Sequence, residues 1–211
     1  MTDAAFWDKI APKYAKDAIA DVPAYEQTRD RMRDILQPHH RVLELGCGTG
    51  STALELADQV DRYHGTDVSP GMIAIAQGKQ SDETPAHLSF SARAAGDLPK
   101  GPHDVVIALN LFHLLPNLET VLETVWDTLQ PGGLLITKTP LLGGGKWYMR
   151  LLMRLMIPVM RAFRKAPYVR FLSSDELHAM LRTAGFDVTE TLLQAGTVPR
   201  EFTVATKPKT R

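Results

Sequence analysis

Three glycines closely follow an apolar run in the stretch VLELGCGTG, residues 42–50. Gly46, Gly48 and Gly50 permit a tight turn and a close approach of the backbone to a ligand. Glu44, two residues before the first glycine, would repel a pyrophosphate but attract an ammonium or sulfonium group. The spacing is also G-x-G-x-G, whereas dinucleotide sites have G-x-G-x-x-G. The stretch therefore favours a cationic ligand.

A second acid, Asp67, lies about 20 residues beyond this turn, at the end of the run RYHGTD. An acid at the end of the second strand of such a fold can accept hydrogen bonds from both hydroxyls of a ribose. A nucleoside with a positively charged tail would satisfy both acids at once.

These residues are positioned by an alternation of short β-rich runs and amphipathic helical patterns. The runs are RVLEL, RYHGTD, HLSFSA and HDVVIAL, and the helical patterns are STALELADQ, PGMIAIAQGK and LETVLETVWDTL. A fifth strand is expected in LQPGGLLITKTP, where Pro-Gly-Gly should end the preceding helix. Such alternation indicates a parallel sheet covered on both faces. With the edge pair DVTETLLQA and EFTVATK, the pattern predicts an α/β fold with a doubly wound, seven-stranded, mostly parallel sheet and an antiparallel last strand.

Composition limits the class of protein. The 211 residues, 44% of them hydrophobic, suit a single domain. Twenty-four basic side chains balance 24 acidic ones, so no global basic field favours nucleic acid. Cys47 is the only cysteine, which excludes a four-cysteine zinc site, and no metal site is expected. The start, MTDAAFWDKI, has no apolar run typical of a signal peptide, and we expect a cytoplasmic protein.

With the glycine turn and both acids in place, the chain resembles the class I S-adenosylmethionine-dependent methyltransferases from about residue 14 to residue 206. The leader FWDKIAPKYAKD is similar to the N-terminal lid of a small-molecule, quinone-biosynthesis-like subgroup. The resemblance implies a Rossmann-like methyltransferase fold, S-adenosylmethionine as cofactor and S-adenosylhomocysteine as its product. It also implies one domain, 1–211, with a helical lid at 1–38 and an inserted helical lid at 143–172.

The family pattern also implies roles for individual residues. Glu44 and the backbone of Gly46, Cys47 and Gly48 would hold the methionine part of the cofactor, and Asp67 would bind the ribose. The remaining cofactor positions implied by the resemblance are Val68 and Met72 around the adenine, Asn110 beside the methionine part, and Tyr14 over the cofactor. The chain departs from the pattern after the third strand, where Ala94 occupies the position of a frequent acid. Backbone groups near Ala94 and Ala95 would then recognise the adenine.

The methyl acceptor is constrained mainly by missing motifs. Relatives that methylate amino groups of nucleobases or glutamine resemble one another in an Asn/Asp-Pro-Pro-Tyr sequence after the fourth strand, where this chain reads NLFH. We therefore expect a small, apolar or amphiphilic organic acceptor, and neither nucleic acid nor an obligate protein partner. His113, three residues after Asn110, is the candidate general base, and a structural histidine is the alternative.

The segment between residues 139 and 174 has no acidic residue and seven basic ones. A helical projection places most of the basic residues on one side and Leu, Met, Val and Phe side chains on the other. Pro158 is expected to kink or divide this helix. Three interpretations remain open: an apolar face packed on the domain, a lid over the acceptor, or peripheral contact of 146–170 with an anionic membrane.

Two other functions compete with methyl transfer. A nicotinamide-dependent oxidoreductase would use a similar fold, but Glu44 and the missing Tyr-x-x-x-Lys pair disfavour it. A noncatalytic cofactor-binding or membrane-docking module would keep the fold without turnover. Comparing the binding of S-adenosylhomocysteine with that of NADH distinguishes a methyltransferase from the oxidoreductase. Measuring turnover on a panel of acceptors distinguishes it from the noncatalytic module.

Overall fold

The computed structural model describes residues 3–17 and 21–209, so that parts of the predicted N-terminal lid, residues 1, 2 and 18–20, lie outside the described residues. Within these ranges seven strands form one sheet. The strands are β1 (Arg41–Leu45), β2 (Arg62–Asp67), β3 (Leu88–Ala92), β4 (His103–Leu109), β5 (Leu129–Pro140), β6 (Asp187–Gln194) and β7 (Arg200–Thr206). Their order is β3-β2-β1-β4-β5-β7-β6, with β1 to β5 parallel and β7 antiparallel to both of its neighbours. The predicted fold class is confirmed.

Helices connect these strands and cover the sheet. In the described ranges they are α1 (Asp3–Tyr14), α2 (Val22–Ile35), α3 (Ser51–Leu56), α4 (Pro70–Gly78), α5 (Leu118–Thr128), α6 (Trp147–Ala162) and α7 (Ser174–Thr183). Short 3-10 turns follow α3, at Ala57–Gln59, and β4, at Phe112–Leu114. Helix α7 begins with a reciprocal capping box formed by Ser173 and Glu176.

The core consists of two apolar clusters, to which alternate side chains of the strands contribute. In one of them, Leu118, Val121, Leu122 and Val125 of α5 recur at the i, i+3, i+4 and i+7 spacing that places them on one helix face. Each fully buried side chain of this kind contributes roughly 1.5–3 kcal/mol of transfer free energy. This packing fixes β1 and β4, whose carboxyl ends carry the predicted site.

The start of β5 differs from the sequence-based prediction. We expected Pro-Gly-Gly to end the helix, but α5 ends at Thr128 and β5 already includes residues 131–133. The register between β4 and β5 shifts between His103 and Val105, which pair with Leu129 and Leu134. Residues 130–133 therefore form an irregularity inside the strand, where Gly132 adopts a positive φ of 83°. Turn-forming residues here mark a bulge.

Helix α6 lies on the body of the protein with its large apolar side chains exposed, which its amphipathic pattern did not predict. None of its residues is buried, and Trp147 and Phe163 at its two ends are 70% and 72% exposed. Arg150 donates a hydrogen bond to the carbonyl oxygen of Gly143 at 2.8 Å. Of the three interpretations, packing of the apolar face on the domain is therefore contradicted.

Two cation-π contacts complete the attachment of α6. The guanidinium groups of Arg154 and Arg161 lie 5.3 and 5.2 Å from the ring centres of Phe171 and Tyr168. The helix also continues through Pro158, so of the two predicted effects, a kink or a division, the division does not occur. Within the described ranges, no helix is both long enough and apolar enough to cross a membrane.

Candidate active site

The carboxyl ends of β1 and β4 lie side by side in the sheet, at the position where doubly wound folds form their ligand crevice. The glycine turn follows β1, and Asn110 follows β4. Asn110 has a positive φ of 54°, a left-handed conformation that asparagine tolerates better than most residues. Its backbone N–H donates to the carbonyl oxygen of Lys138 at 2.7 Å, which ties the end of β4 to β5.

Two glycines of the turn are required for different reasons. Gly46 has a φ of 65°, and a Cβ added there would lie 2.9 Å from the side chain of Leu111. Gly48 has a φ of 55°, but an added Cβ would meet only the Tyr14 ring, at 3.8 Å. Glycine is therefore required at position 48 by the positive φ and not by lack of space. The open space beside it allows a ligand to approach the backbone closely.

Glu44 is almost completely buried, with 3% of its surface exposed. Its carboxylate accepts a hydrogen bond from the hydroxyl of Tyr63 at 3.0 Å. Burial raises the pKa of Glu44 to about 7, against the opposing effect of the Tyr63 hydrogen bond, and the charge of Asp67 adds to the rise. Near neutral pH the carboxyl is therefore partly protonated, and a cationic ligand would favour its ionised form.

Asp67 joins the glycine turn to the start of α4. One of its carboxylate oxygens accepts from the N–H of Gly48 at 3.0 Å, and the other accepts from the N–H of Ser69 at 2.9 Å. Burial raises the pKa of Asp67, and these backbone hydrogen bonds oppose the rise. The N–H of Gly48 is consequently committed to Asp67.

Two adjoining cavities open at this edge of the sheet. The smaller, of about 360 Å³, is lined by one group of predicted residues, Asp67, Val68, Met72, Ala94 and Ala95. The larger, of about 750 Å³, is lined by Glu44, Cys47 and His113. Both share a wall that includes Tyr14, Gly46, Gly48 and Asn110. The structure thus brings every residue predicted for the site to one cavity or the other.

His113 lies in the 3-10 turn after β4 and faces the larger cavity. Burial lowers its pKa to about 4, so the ring is neutral at pH 7. Its Nδ1 is buried and has no hydrogen-bond partner within the described residues. A buried polar atom of this kind usually has a partner, which makes Nδ1 a candidate contact for a bound molecule.

Helix α1 covers the site and is attached through an acid that the sequence analysis missed. Asp8 accepts hydrogen bonds from the hydroxyl of Ser69 and, at 2.9 Å, from the N–H of Gly71 at the start of α4. These donors lower the pKa of Asp8. The attachment places Trp7 and Tyr14 in the walls of both cavities. The resemblance of the leader FWDKIAPKYAKD to a lid singled out Tyr14 but neither Trp7 nor Asp8.

Two basic residues in the wall of the larger cavity were also missed, Lys138 near the end of β5 and Arg200 at the start of β7. Lys138 is only 7% exposed, although lysine is rarely buried without a partner. The available signal was a single lysine in the otherwise uncharged run LLITKTP.

A family model described as a methyltransferase domain matches residues 14–191 of the chain. Among curated relatives, the chain is 31% identical over 147 residues to the hybrid PKS-NRPS synthetase iliA of Neonectria sp. (strain DH2), an alignment that covers 61% of this chain and 4% of the synthetase. It is 35% identical over 112 residues to the hybrid PKS-NRPS synthetase iccA of Talaromyces variabilis, covering 47% and 3%. The chain thus corresponds to a small part of these much longer relatives.

Solved structures share the fold at low sequence identity. A chain of the complex between the Haloferax volcanii Trm112 methyltransferase activator and a methyltransferase has a TM-score of 0.74 and 18% identity, covering 100% of this chain and 99% of that one. The YcgJ protein of Bacillus subtilis has a TM-score of 0.71 and 14% identity, covering 87% and 99%. A Haemonchus contortus phosphoethanolamine N-methyltransferase 2, in complex with phosphomonomethylethanolamine and S-adenosylhomocysteine, has a TM-score of 0.70 and 15% identity, covering 87% and 53%. At these identities the likeness concerns the fold.

Proposed function

The chain belongs to the methyltransferase domain family and is an S-adenosylmethionine-dependent methyltransferase, and we propose that it methylates a small, apolar or amphiphilic organic molecule. The observation that carries this proposal is the pair of adjoining cavities, one lined by the predicted adenosine-binding residues and the other, larger one left for an acceptor. The names of the curated relatives, which are synthetases of polyketide type, support a small organic acceptor. We further propose that residues 1–211 act as one domain, with 1–38 and 143–172 as its covers.

The cofactor fits the chemistry of the smaller cavity and of the shared wall. We assign the ribose to the Asp67 carboxylate, the adenine faces to Val68 and Met72, and the adenine edge to the backbone at Ala94 and Ala95. The methionine part is assigned to the shared wall and its neighbours, namely Glu44, Gly46, Cys47, Gly48, Asn110 and Tyr14. Glu44 is a buried carboxylate with no cationic partner among the residues that the structure describes, which suits a ligand with positive charge. When bound, S-adenosylmethionine supplies a methyl group activated by its sulfonium.

The protein's own contribution is positioning, exclusion of water and handling of a proton. Trp7 and Tyr14 of α1 close over both cavities and limit access of water to the shared wall. Holding the acceptor in a productive geometry can supply several kcal/mol, up to roughly 7–11 in the best intramolecular models. We propose that the ring of His113 accepts a hydrogen bond from the acceptor's O–H or N–H and takes its proton. Its pKa of about 4 keeps the ring neutral at pH 7, so it can accept a proton, but as a weak base.

Isothermal titration of the purified protein tests the cofactor assignment. We expect S-adenosylhomocysteine to bind at micromolar or lower concentration and NADH not to bind, because Glu44 and Asp67 favour a nucleoside with a cationic tail. Uptake of NADH without S-adenosylhomocysteine would contradict the proposal. Methyl transfer is then measured on a panel of small acceptors, and tight cofactor binding without turnover on any of them would favour the noncatalytic module.

We also propose that segment 146–170 contacts an anionic membrane surface through the outer face of α6. This face carries large apolar side chains that are all exposed, namely Trp147, Tyr148, Leu151, Leu152, Leu155, Met156, Val159 and Phe163. Contiguous exposed apolar surface of this kind marks a contact site. The segment 139–174 has seven basic residues and no acid, so two copies would repel each other while anionic lipid would be attracted.

Co-sedimentation with vesicles tests this contact. Replacing Leu151, Leu155 and Val159 together with serine should reduce binding to phosphatidylcholine/phosphatidylglycerol vesicles by about tenfold or more, because each side chain loses part of its roughly 1.5–3 kcal/mol of burial. The variant should fold normally, since none of the three is buried.

Leu193→Ser is the matched control, because Leu193 is an exposed leucine on β6 outside this segment. It should leave vesicle binding unchanged. Equal sedimentation of the wild type with and without vesicles, or concentration-dependent dimers of the wild type that the triple variant lacks, would reject the membrane contact.

A further inference from the structure

Lys138 is a buried cation that lines the larger cavity and has no carboxylate partner among the described residues. The ammonium group of Lys138 donates to the carbonyl oxygen of Ala24 at 3.0 Å and to the hydroxyl of Thr28 at 2.8 Å, and both acceptors are neutral. An ammonium has three donors, so one remains unassigned within the described residues. A buried charge normally requires an opposite charge. Burial, followed by the charge of Arg200, lowers the pKa of Lys138 to about 8, and Lys138 therefore still carries its charge at pH 7.

Arg200 lies next to Lys138 on the same face of the sheet. In the antiparallel pairing of β5 with β7, Lys138 is opposite Phe202 and Pro140 is opposite Arg200. Lys138 and Arg200 are thus diagonal neighbours, whose Cα atoms are typically about 7–8 Å apart. The guanidinium of Arg200 makes no hydrogen bond or ion pair with any part of the chain that the structure describes. Both side chains line the larger cavity.

The other basic side chains of this cavity are already satisfied. Lys79 uses three hydrogen bonds, two to Thr49 and one to Ser51. Arg29 forms ion pairs with Asp30 and, at 3.8 Å, with Glu55. The unmatched positive charge of the cavity is therefore concentrated at Lys138 and Arg200.

The acids of the cavity do not neutralise this pair. Glu44 is bonded to Tyr63, and Asp21 caps α2 by accepting from the N–H of Ala24 at 3.1 Å. Asp21 is near enough to raise the pKa of Lys138 slightly, but no carboxylate among the described residues lies within 4 Å of Lys138 or Arg200. Asp17, the remaining acid of the lining, is exposed.

We propose that Lys138 and Arg200 form a subsite for an anionic group, a carboxylate or a phosphate, on the methyl acceptor. The inference rests on the proposed function and narrows the acceptor class to an anionic amphiphile. Its apolar part would contact the uncharged walls of the cavity, which include Met32, Leu109 and Val169. Because the carbonyl of Lys138 accepts from the N–H of Asn110, the anionic group would be held beside the wall shared with the cofactor cavity. The two cations would thus orient the acceptor as well as select it.

Calorimetric titration of the protein saturated with S-adenosylhomocysteine tests the subsite. The ligands are decanoate, decyl phosphate and decanol, which share one chain length and differ in the head group. We expect both anions, or the one whose head group the subsite prefers, to bind about ten- to a hundredfold more tightly than decanol, as a charge-assisted hydrogen bond provides. Lys138→Met and Arg200→Met should each abolish most of this preference and leave decanol binding unchanged, and Lys138→Arg should retain it.

Lys100→Met is the control, because it removes an exposed positive charge outside both cavities. Equal affinities for the anions and decanol, no binding of either anion, or a preference that survives in both methionine variants would overturn the subsite. Should Lys138→Met fail to fold because its bonds to α2 are lost, Arg200→Met decides, since Arg200 makes no such bonds. Failure of S-adenosylhomocysteine to bind, measured first, would instead reject the proposed function.

Discussion

Replacing Asp67 with alanine is expected to weaken the binding of S-adenosylhomocysteine about a hundredfold or more. The variant loses the acceptor that we assign to the ribose hydroxyls, and hydrogen bonds to a charged group contribute about 1.5–3 kcal/mol each. It also loses the bonds that hold the N–H groups of Gly48 and Ser69, so the melting temperature should fall as well. Calorimetry and thermal denaturation measure the two effects separately.

Two further variants make the Asp67 result interpretable. Asp67→Asn keeps an oxygen acceptor for one of the two N–H groups and should give an intermediate loss of affinity. Asp97→Ala removes an exposed acid that lines neither cavity and should bind S-adenosylhomocysteine like the wild type. Unchanged affinity in Asp67→Ala would refute the ribose assignment.

Replacing Glu44 with glutamine should stabilise the protein without cofactor at pH 8 and weaken its binding of S-adenosylmethionine. Burial raises the pKa of Glu44 from its ordinary 4.5 to about 7. Between these two values the folded state binds more protons than the unfolded state, so the free energy of unfolding falls as the pH rises. Above pH 7 the buried carboxylate lowers the free energy of unfolding by its full amount, of order 3 kcal/mol. Glutamine removes this cost and can still accept from the Tyr63 hydroxyl.

Urea unfolding at pH 5 and pH 8 measures the effect of Glu44→Gln. The variant should gain stability over the wild type at pH 8 and little at pH 5, where the wild-type carboxyl is protonated. Glu83→Gln, which changes an exposed acid, should show no such difference. A Glu44→Gln variant that is less stable than the wild type at pH 8, or that binds the cofactor equally well, would contradict the role of Glu44 as a buried charge kept for a cationic ligand.

Much of the fold could be predicted from sequence, because it follows from local patterns of residues close together in the chain. Alternating apolar strands and amphipathic helices predict the parallel sheet, and glycines with positive φ predict the turn after β1. The irregularity in β5 could not be predicted in this way, because Pro-Gly-Gly is typical of both a turn and a bulge. The outcome depended on the pairing of β5 with β4.

Helix α6 illustrates a second limit. Its amphipathic pattern identifies an apolar face but not what covers that face. The structure attaches the helix through Arg150, Arg154 and Arg161, and such contacts between a guanidinium group and a carbonyl or a ring have no sequence signature.

The site shows the same division. The positions of Glu44 and Asp67 in the cavity walls were predictable, because each stands near a strand end with a specific spacing from the glycines. Lys138, Arg200 and Asp8 were not, since their importance depends on burial and on partners far away in the chain. Asp8, for example, meets Ser69 and Gly71 more than sixty residues later.

The attachment of α1 by Asp8 has a consequence for the catalytic cycle. Trp7 and Tyr14 border both cavities, and they are carried by one helix that is hydrogen-bonded to the start of α4. A single displacement of that helix would alter both chambers together. Release of S-adenosylhomocysteine and release of the methylated product would then both depend on displacement of α1. The rate of that displacement would set an upper bound on turnover.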